Sequence, residues 1–211
     1  MYKFNCFFCF LMATFLSLSI SAQFVKLEVD EISNEGIVPG KTYRVYAVFE
    51  TEGDIIDAIY AKQDAPILIQ STKPFYQHPK GGGTSVEIQR SEISIYPELK
   101  YDSWVTIGME DNYLNKMNTI SVSLDSFEKQ GGAIELRSGA WFAFPGATEG
   151  GARQTISGPS KRILLMQLTT EGSVTGVINL HGRHKESFDD FGKLIPPTIE
   201  IDVMGESFFC D

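Results

Sequence analysis

From Gln23 onward, apolar and polar residues alternate with a period of two, the mark of strands that turn every second side chain into a core. In Phe24–Asp30, Val25, Leu27 and Val29 share one face, while Lys26, Glu28 and Asp30 share the other. Thr42–Glu50 repeats the pattern with Tyr43, Val45, Ala47 and Phe49. Near the C-terminus, Ile199, Ile201 and Val203 alternate with Glu200 and Asp202. The same reading predicts strands at Ile55–Ala61, Ile67–Ser71, Trp104–Met109, Thr119–Val122, Ala133–Leu136, Ala140–Phe144, Arg162–Thr169 and Ser173–Leu180. Arg162–Thr169 is apolar on both faces, which predicts a central strand. No segment sustains an amphipathic helical period, and only Arg90–Leu99 and Leu124–Lys129 allow short helices.

Turn residues punctuate this map. Thr51-Glu52-Gly53-Asp54 and Thr170-Glu171-Gly172-Ser173 each separate two strand candidates. Glycine accepts the positive φ of tight turns, so both read as hairpins. Pro39-Gly40 marks another turn, and Pro196-Pro197 introduces the last strand. Many short strands with regular turns predict an all-β fold, an antiparallel, jelly-roll-like β-sandwich formed as a single domain by residues 23–211. A unit of that size buries roughly 70% of its unfolded surface, so its stability need not depend on disulfides. The longer irregular stretches, Tyr76–Ser85, Asp111–Met117, Pro145–Ser160 and Gly182–Lys193, are the natural carriers of function on such a scaffold.

Residues 1–22 break the alternation. Lys3 is followed by a nearly unbroken apolar run from Phe4 to Ile20, and then by the small residues Ser21-Ala22. This is the layout of a secretory signal peptide cut at Ala22/Gln23. The expected location is therefore secreted, extracellular or at the cell surface, with no membrane span after cleavage. The rival reading is a retained anchor, for which the run is short and lacks a basic flank. Cys6 and Cys9 fall inside the segment. Cys210 would then be the last cysteine, either a tolerated free thiol or a cross-link to a partner.

Composition sharpens the picture. The chain has 27 acidic residues against 18 lysines and arginines, a net charge of −9. That balance argues against nucleic acid, which needs a basic face to displace counterions. With 43% hydrophobic residues, there is enough apolar material for a core.

Three stretches carry a resemblance. Lys41-Thr42-Tyr43-Arg44-Val45-Tyr46-Ala47-Val48 is similar to the opening strand of a group of predicted secreted, β-rich proteins of marine microbes. Tyr101-Asp102-Ser103-Trp104-Val105-Thr106-Ile107-Gly108 and Gln167-Leu168-Thr169-Thr170-Glu171-Gly172-Ser173-Val174-Thr175-Gly176 resemble phrases of the same group, in the same order. The resemblance implies a secreted β-rich domain and transfers no catalytic residue.

Candidate chemistry is sparse. No G-x-S-x-G elbow is present, and the spacing of His78, His181 and His184 nominates none of them for a triad. His181 and His184 lack the ligand pattern of a zinc motif. Calcium is the ion that an exported acidic β-protein suggests, held by carboxylate and carbonyl oxygens in loops. The candidate ligands are Glu110 and Asp111 after one strand and Asp189 and Asp190 in another loop, although neither fits an EF-hand. Lys80-Gly81-Gly82-Gly83-Thr84 lacks the order of a phosphate loop and reads as a flexible one. If exposed, Trp141, Tyr76 or Tyr113 would stack on a sugar ring. Trp141 alternates with Phe142 and Phe144, so one side of that strand faces the core. The expected function is a non-enzymatic, adhesion-type interaction or structural module, whose partner is an extracellular protein or glycan. The alternative is a carbohydrate-binding or carbohydrate-processing domain steadied by calcium.

Overall fold

The computed structural model describes residues 24–144, 154–185, 191 and 200–211. The predicted signal segment and the Pro196-Pro197 turn lie outside the described residues. Among those described, the strands are β1 (Phe24–Ile32), β2 (Lys41–Phe49), β3 (Ile55–Ala61), β4 (Ile67–Ser71), β5 (Trp104–Val105), β6 (Met117–Ile120), β7 (Ile134–Leu136), β8 (Gly139–Ala143), β9 (Arg162–Thr170), β10 (Val174–Arg183) and β11 (Glu200–Cys210). One helix, α1, spans Asp125–Gln130 and ends at Gly131 in the left-handed conformation. The fold is an all-β sandwich of two antiparallel sheets. The smaller runs β1-β2-β9-β5, and the larger runs β6-β8-β3-β10-β4-β7 with β11 also on β10.

The core lies between the sheets and follows the alternation. Val45, Ala47 and Phe49 from β2 meet Ile56 and Ile59 from β3, Trp141 from β8, and Ile178 and Leu180 from β10. A second apolar cluster, Ile88, Leu99, Trp104 and Leu164, lies outside it. The cluster involves the turns Ser85–Glu87 and Pro97–Tyr101, which belong to the long connection between β4 and β5. That connection covers the outer face of β9, which explains why β9 is apolar on both sides.

Four expectations need correcting. The two Thr-Glu-Gly turns are not hairpins, because β2 and β3 lie in different sheets, as do β9 and β10. Each turn is a corner that carries the chain from the smaller sheet to the larger. A glycine fixes the sharpness of a turn and says nothing about which strand will be the hydrogen-bonding neighbour. Val25 does not face the core. Pairing of β1 with β2 shifts between Phe24 and Lys26, and this bulge leaves Val25 exposed while Phe24, Leu27 and Val29 pack inward. The strand expected over Trp104–Met109 pairs only through Val105. Gly108, at φ 73°, turns the chain away, though the Thr106 and Gly108 N–H groups still donate to Leu165 and Leu164 of β9. The helix allowed over Arg90–Leu99 forms as two 3-10 turns, Arg90–Glu92 and Pro97–Tyr101.

Candidate functional site

The outer faces of the two sheets differ. On the smaller sheet, the connection between β4 and β5 supplies a cover with its own core. On the larger sheet, outward positions of β6, β8, β3, β10 and β11 share one open surface. Register places Ile120 beside Ala140, Asn118 beside Phe142, Phe142 beside Ala58, Ala58 beside His181 and His181 beside Asp202. Ile120 is 59% exposed and Phe144 is 66% exposed. The rings of Phe142 and Phe144 meet edge to face, 5.2 Å apart at 76°.

Beside this apolar patch lies a built polar cluster. The β3–β10 register shifts between His181 and Gly182, which leaves Asp57 as an extra residue on β3. Its Oδ1 lies 2.7 Å from His181 Nδ1, and its Oδ2 lies 3.8 Å from Arg183 Nη1. Tyr60 donates its hydroxyl across β10 to Asp202 Oδ1 at 2.5 Å. Burial, together with that carboxylate, pushes the Tyr60 phenol up to about 12. The phenol is therefore a fixed donor throughout the physiological range.

A second His–Asp pair sits at the end of β10. The Asp54 carboxylate is fully buried, with Oδ1 2.5 Å from His184 Nδ1 and Oδ2 accepting from the Thr51 hydroxyl at 3.1 Å. An oriented histidine is two-thirds of a triad, but a nucleophile is needed as well. The nearby Ser157 is fully buried. Its hydroxyl donates to the Thr51 carbonyl and accepts from Gly53 N–H, so it is committed to pinning the corner. The pair ties the Thr51–Asp54 corner to the end of β10.

The residues nominated from sequence fall elsewhere. Trp141 is a correction: it points between the sheets and is fully buried, so no ligand ring reaches it. The outward members of the same alternation are Phe142 and Phe144. Tyr76 is half-buried, with its phenol pKa raised by burial and then by Asp102 and Glu98. Tyr113 is exposed, but the Arg90 guanidinium lies over its ring at 4.5 Å. Both residues of the first calcium pair are engaged by arginines. Glu110 is held by both terminal nitrogens of Arg44, at 2.8 and 2.7 Å. Asp111 accepts from Arg90 Nε at 2.7 Å and from Tyr113 N–H at 2.8 Å. Two carboxylates neutralised by arginines are poor hard-cation ligands, and no group of three or more metal-ligating side chains occurs among the described residues. Asp189 and Asp190 lie outside the described residues.

A recess of about 200 Å³ on the smaller sheet is lined by Tyr46, Glu110, Gln154 and Arg162. Its cation is already engaged, because Arg162 stacks on Tyr46 and pairs with Glu28 and Asp30. The glycine loop, too, is not free. It wraps the buried Asp102 carboxylate, whose Oδ1 accepts from His78 N–H at 2.6 Å and whose Oδ2 accepts from Gly82 N–H at 3.2 Å. Among the described residues, no helix is long and apolar enough to cross a membrane.

Sequence reasoning missed Asp54, Asp57, Tyr60 and Asp202. The available signal was an acid in or just before β3 facing a histidine in or just after β10, more than 120 residues away. No protein-family model matches the chain, and no curated protein or solved structure matches it.

Proposed function

We propose that this chain is an exported, non-catalytic β-sandwich that acts outside the cell by holding a protein partner on the outer face of its larger sheet. One observation carries the reading. The connection between β4 and β5 covers the β9 part of the smaller sheet's outer face, whereas the larger sheet leaves Ile120 and Phe144 open and Phe142 half-buried beside Tyr60, His181 and Arg183. Aromatic and arginine side chains around an apolar centre are the composition of a protein-recognition patch. The edge-to-face phenylalanines offer no coplanar platform for a sugar ring, which weighs against a glycan. Asp57 and Asp202 on the face, with a net charge of −9, fit a partner with a basic rim. The leader-like segment at 1–22 supports export.

The test is site-specific photo-crosslinking on the tagged full chain produced by its own cells. A crosslinker at position 142 or 144 should give one discrete adduct with a basic protein, whose yield falls in Ile120→Ser. The same crosslinker at position 26, on the smaller sheet, should give none. Equal adducts from all three positions, or binding on a glycan array that survives Phe144→Ser, would overturn the reading. N-terminal sequencing of the exported material should begin at Gln23.

A further inference from the structure

Among the described residues, five strands stand at a sheet edge: β1, β5, β6, β7 and β11. An open edge is a template for another chain, so natural edges are covered or charged. Four of these five obey that rule. Gly83 accepts from Val105 N–H and Thr84 bridges Val105 in parallel, which covers β5. Strand β7 carries the exposed Glu135 at its centre. Strands β1 and β11 are in contact with each other, and both are charged, β1 through Lys26, Glu28 and Asp30 and β11 through Glu200, Asp202 and Glu206. Strand β6 has neither device. Residues 117–124 hold no ionisable side chain, and Asn118, Thr119 and Ile120 are all exposed.

The ladder decides which backbone groups this edge offers. Tyr60 C=O accepts from Asn179 of β10, so Ala58 and Tyr60 turn their backbone groups toward β10, and Ile59 turns its own toward β8. Trp141 bonds Ile59, which leaves Ala140 and Phe142 to bond Ile120 and Asn118 of β6. Thr119 therefore points its N–H and C=O off the sheet. Met117 N–H points the same way and donates to Asn115 Oδ1. Ser121, at φ 54°, then turns the chain and ends the open stretch.

The occupant that fits is a second copy of this chain. With a net charge of −9, two copies repel each other over most approaches, and an uncharged edge is where that repulsion is least. An antiparallel strand is its own complement about a twofold axis. With the axis at Thr119, the two threonines exchange both N–H···O bonds, and Asn118 lies opposite the partner's Ile120. Threonine opposite threonine is a favourable cross-strand pair.

We propose that β6 is the seam of a symmetric dimer, in which two copies pair antiparallel about Thr119 and their larger sheets run on as one. The two Phe142 patches then share one side of that sheet, three strand spacings or roughly 14 Å apart. A seam of four residues gives a reversible dimer, with a Kd of about 1–100 μM.

The test is sedimentation equilibrium of the intact protein from about 1 μM to 1 mM, a range that brackets that affinity. The mean mass should approach that of two chains at the top of the range. Thr119→Pro removes the outward donor and leaves the pairing with β8 in place. It should weaken the dimer roughly 10–100-fold. As a measure independent of that variant's folding, Thr119→Cys should form a disulfide-linked dimer under mild oxidation, because paired Cα atoms about 5.5 Å apart suit the bond. Glu135→Cys on the guarded β7 edge should not. A mass that stays at one chain throughout, as it would if the edge takes a foreign strand instead, would overturn the dimer. So would a dimer that Thr119→Pro leaves intact, or equal cross-linking from Thr119→Cys and Glu135→Cys. None of these results touches the partner face, whose adduct at position 142 is read from the mass of a basic protein.

Discussion

Asn179 on β10 accepts a hydrogen bond from Gly205 N–H on β11 at 2.9 Å, and its own amide donates to two carbonyls on the opposite side. Those carbonyls belong to Tyr60 and Ala65, each at 2.8 Å. The position explains the need. One edge of β10 pairs with β4 over Val174–Val177 and with β3 over Leu180–Arg183, so the ladder is interrupted between them. On the other edge, β11 bulges opposite the same residue, and Gly205 takes φ 72°. One buried side chain thus replaces backbone pairing on both sides of a break.

Replacing Asn179 by Ala should cost about 1–3 kcal/mol, because three hydrogen bonds to partly buried strand-break groups are lost at once, with only the Ala65 carbonyl keeping a second donor in Lys62 N–H. Urea denaturation checks this. A loss under about 0.5 kcal/mol, the size of an ordinary surface change, would mean that water or the ladder itself satisfies those groups. Asn179→Leu should be no better, since the missing element is hydrogen bonding and not volume.

Asp102 makes a prediction about whole-molecule stability. Its folded pKa of about 7 lies above the unfolded value of 3.8. Its stabilising share is therefore fully present below about 3.8 and declines as pH rises, until it is gone above about 7. The span is worth at most about 4 kcal/mol. Relative to Asp102→Asn, the wild type should lose stability between pH 4 and 7 and change no further above that. A parallel pair of stability curves would refute this.

Both tryptophans should report a dry environment. Trp104 lies in the outer cluster and Trp141 in the main core, and each is fully buried. Native emission should be blue-shifted and insensitive to iodide, with one red shift on unfolding. Strong iodide quenching in native buffer would reopen the possibility that Trp141 meets a ligand.

Much of this architecture was legible in the sequence, and the limits have physical causes. Residues 55–61 and 67–71 were predicted to the residue because short apolar runs bounded by turn formers have few alternatives. The apolar faces of Arg162–Thr169 marked a central strand, and β9 lies inside its sheet between β2 and β5. Sheet membership was not legible: Thr-Glu-Gly specifies a turn, whereas the partner strand is chosen by long-range packing. The polar surface cluster was missed for the same reason, since Asp57 meets His181 only through a bulge in a long-range pairing. Asn179 left one local trace, a lone amide within the apolar run Val177-Ile178-Asn179-Leu180.

The arginine-held carboxylates predict indifference to calcium at this site. Asp111→Ala should cost about 1–2 kcal/mol through loss of the acceptor for Tyr113 N–H. That cost should be the same in millimolar calcium and in chelator, as read by thermal unfolding. A loss seen only with calcium would restore Asp111 as a ligand.

Cys210 should be inert while the protein is folded. Its thiol is buried beside the core on β11, opposite Val174, and burial pushes its pKa up to about 12. The thiolate is the reactive form in disulfide exchange, so both protonation and enclosure oppose cross-linking. A thiol reagent at pH 8 should label native protein only as fast as β11 opens, and labelling should become immediate in denaturant. Cys210→Ser should cost about 1–2 kcal/mol, because a hydroxyl enters a site built for a small apolar group. Rapid labelling in native buffer, or a covalent dimer that Cys210→Ser abolishes, would show the thiol to be accessible and assign it to a partner contact.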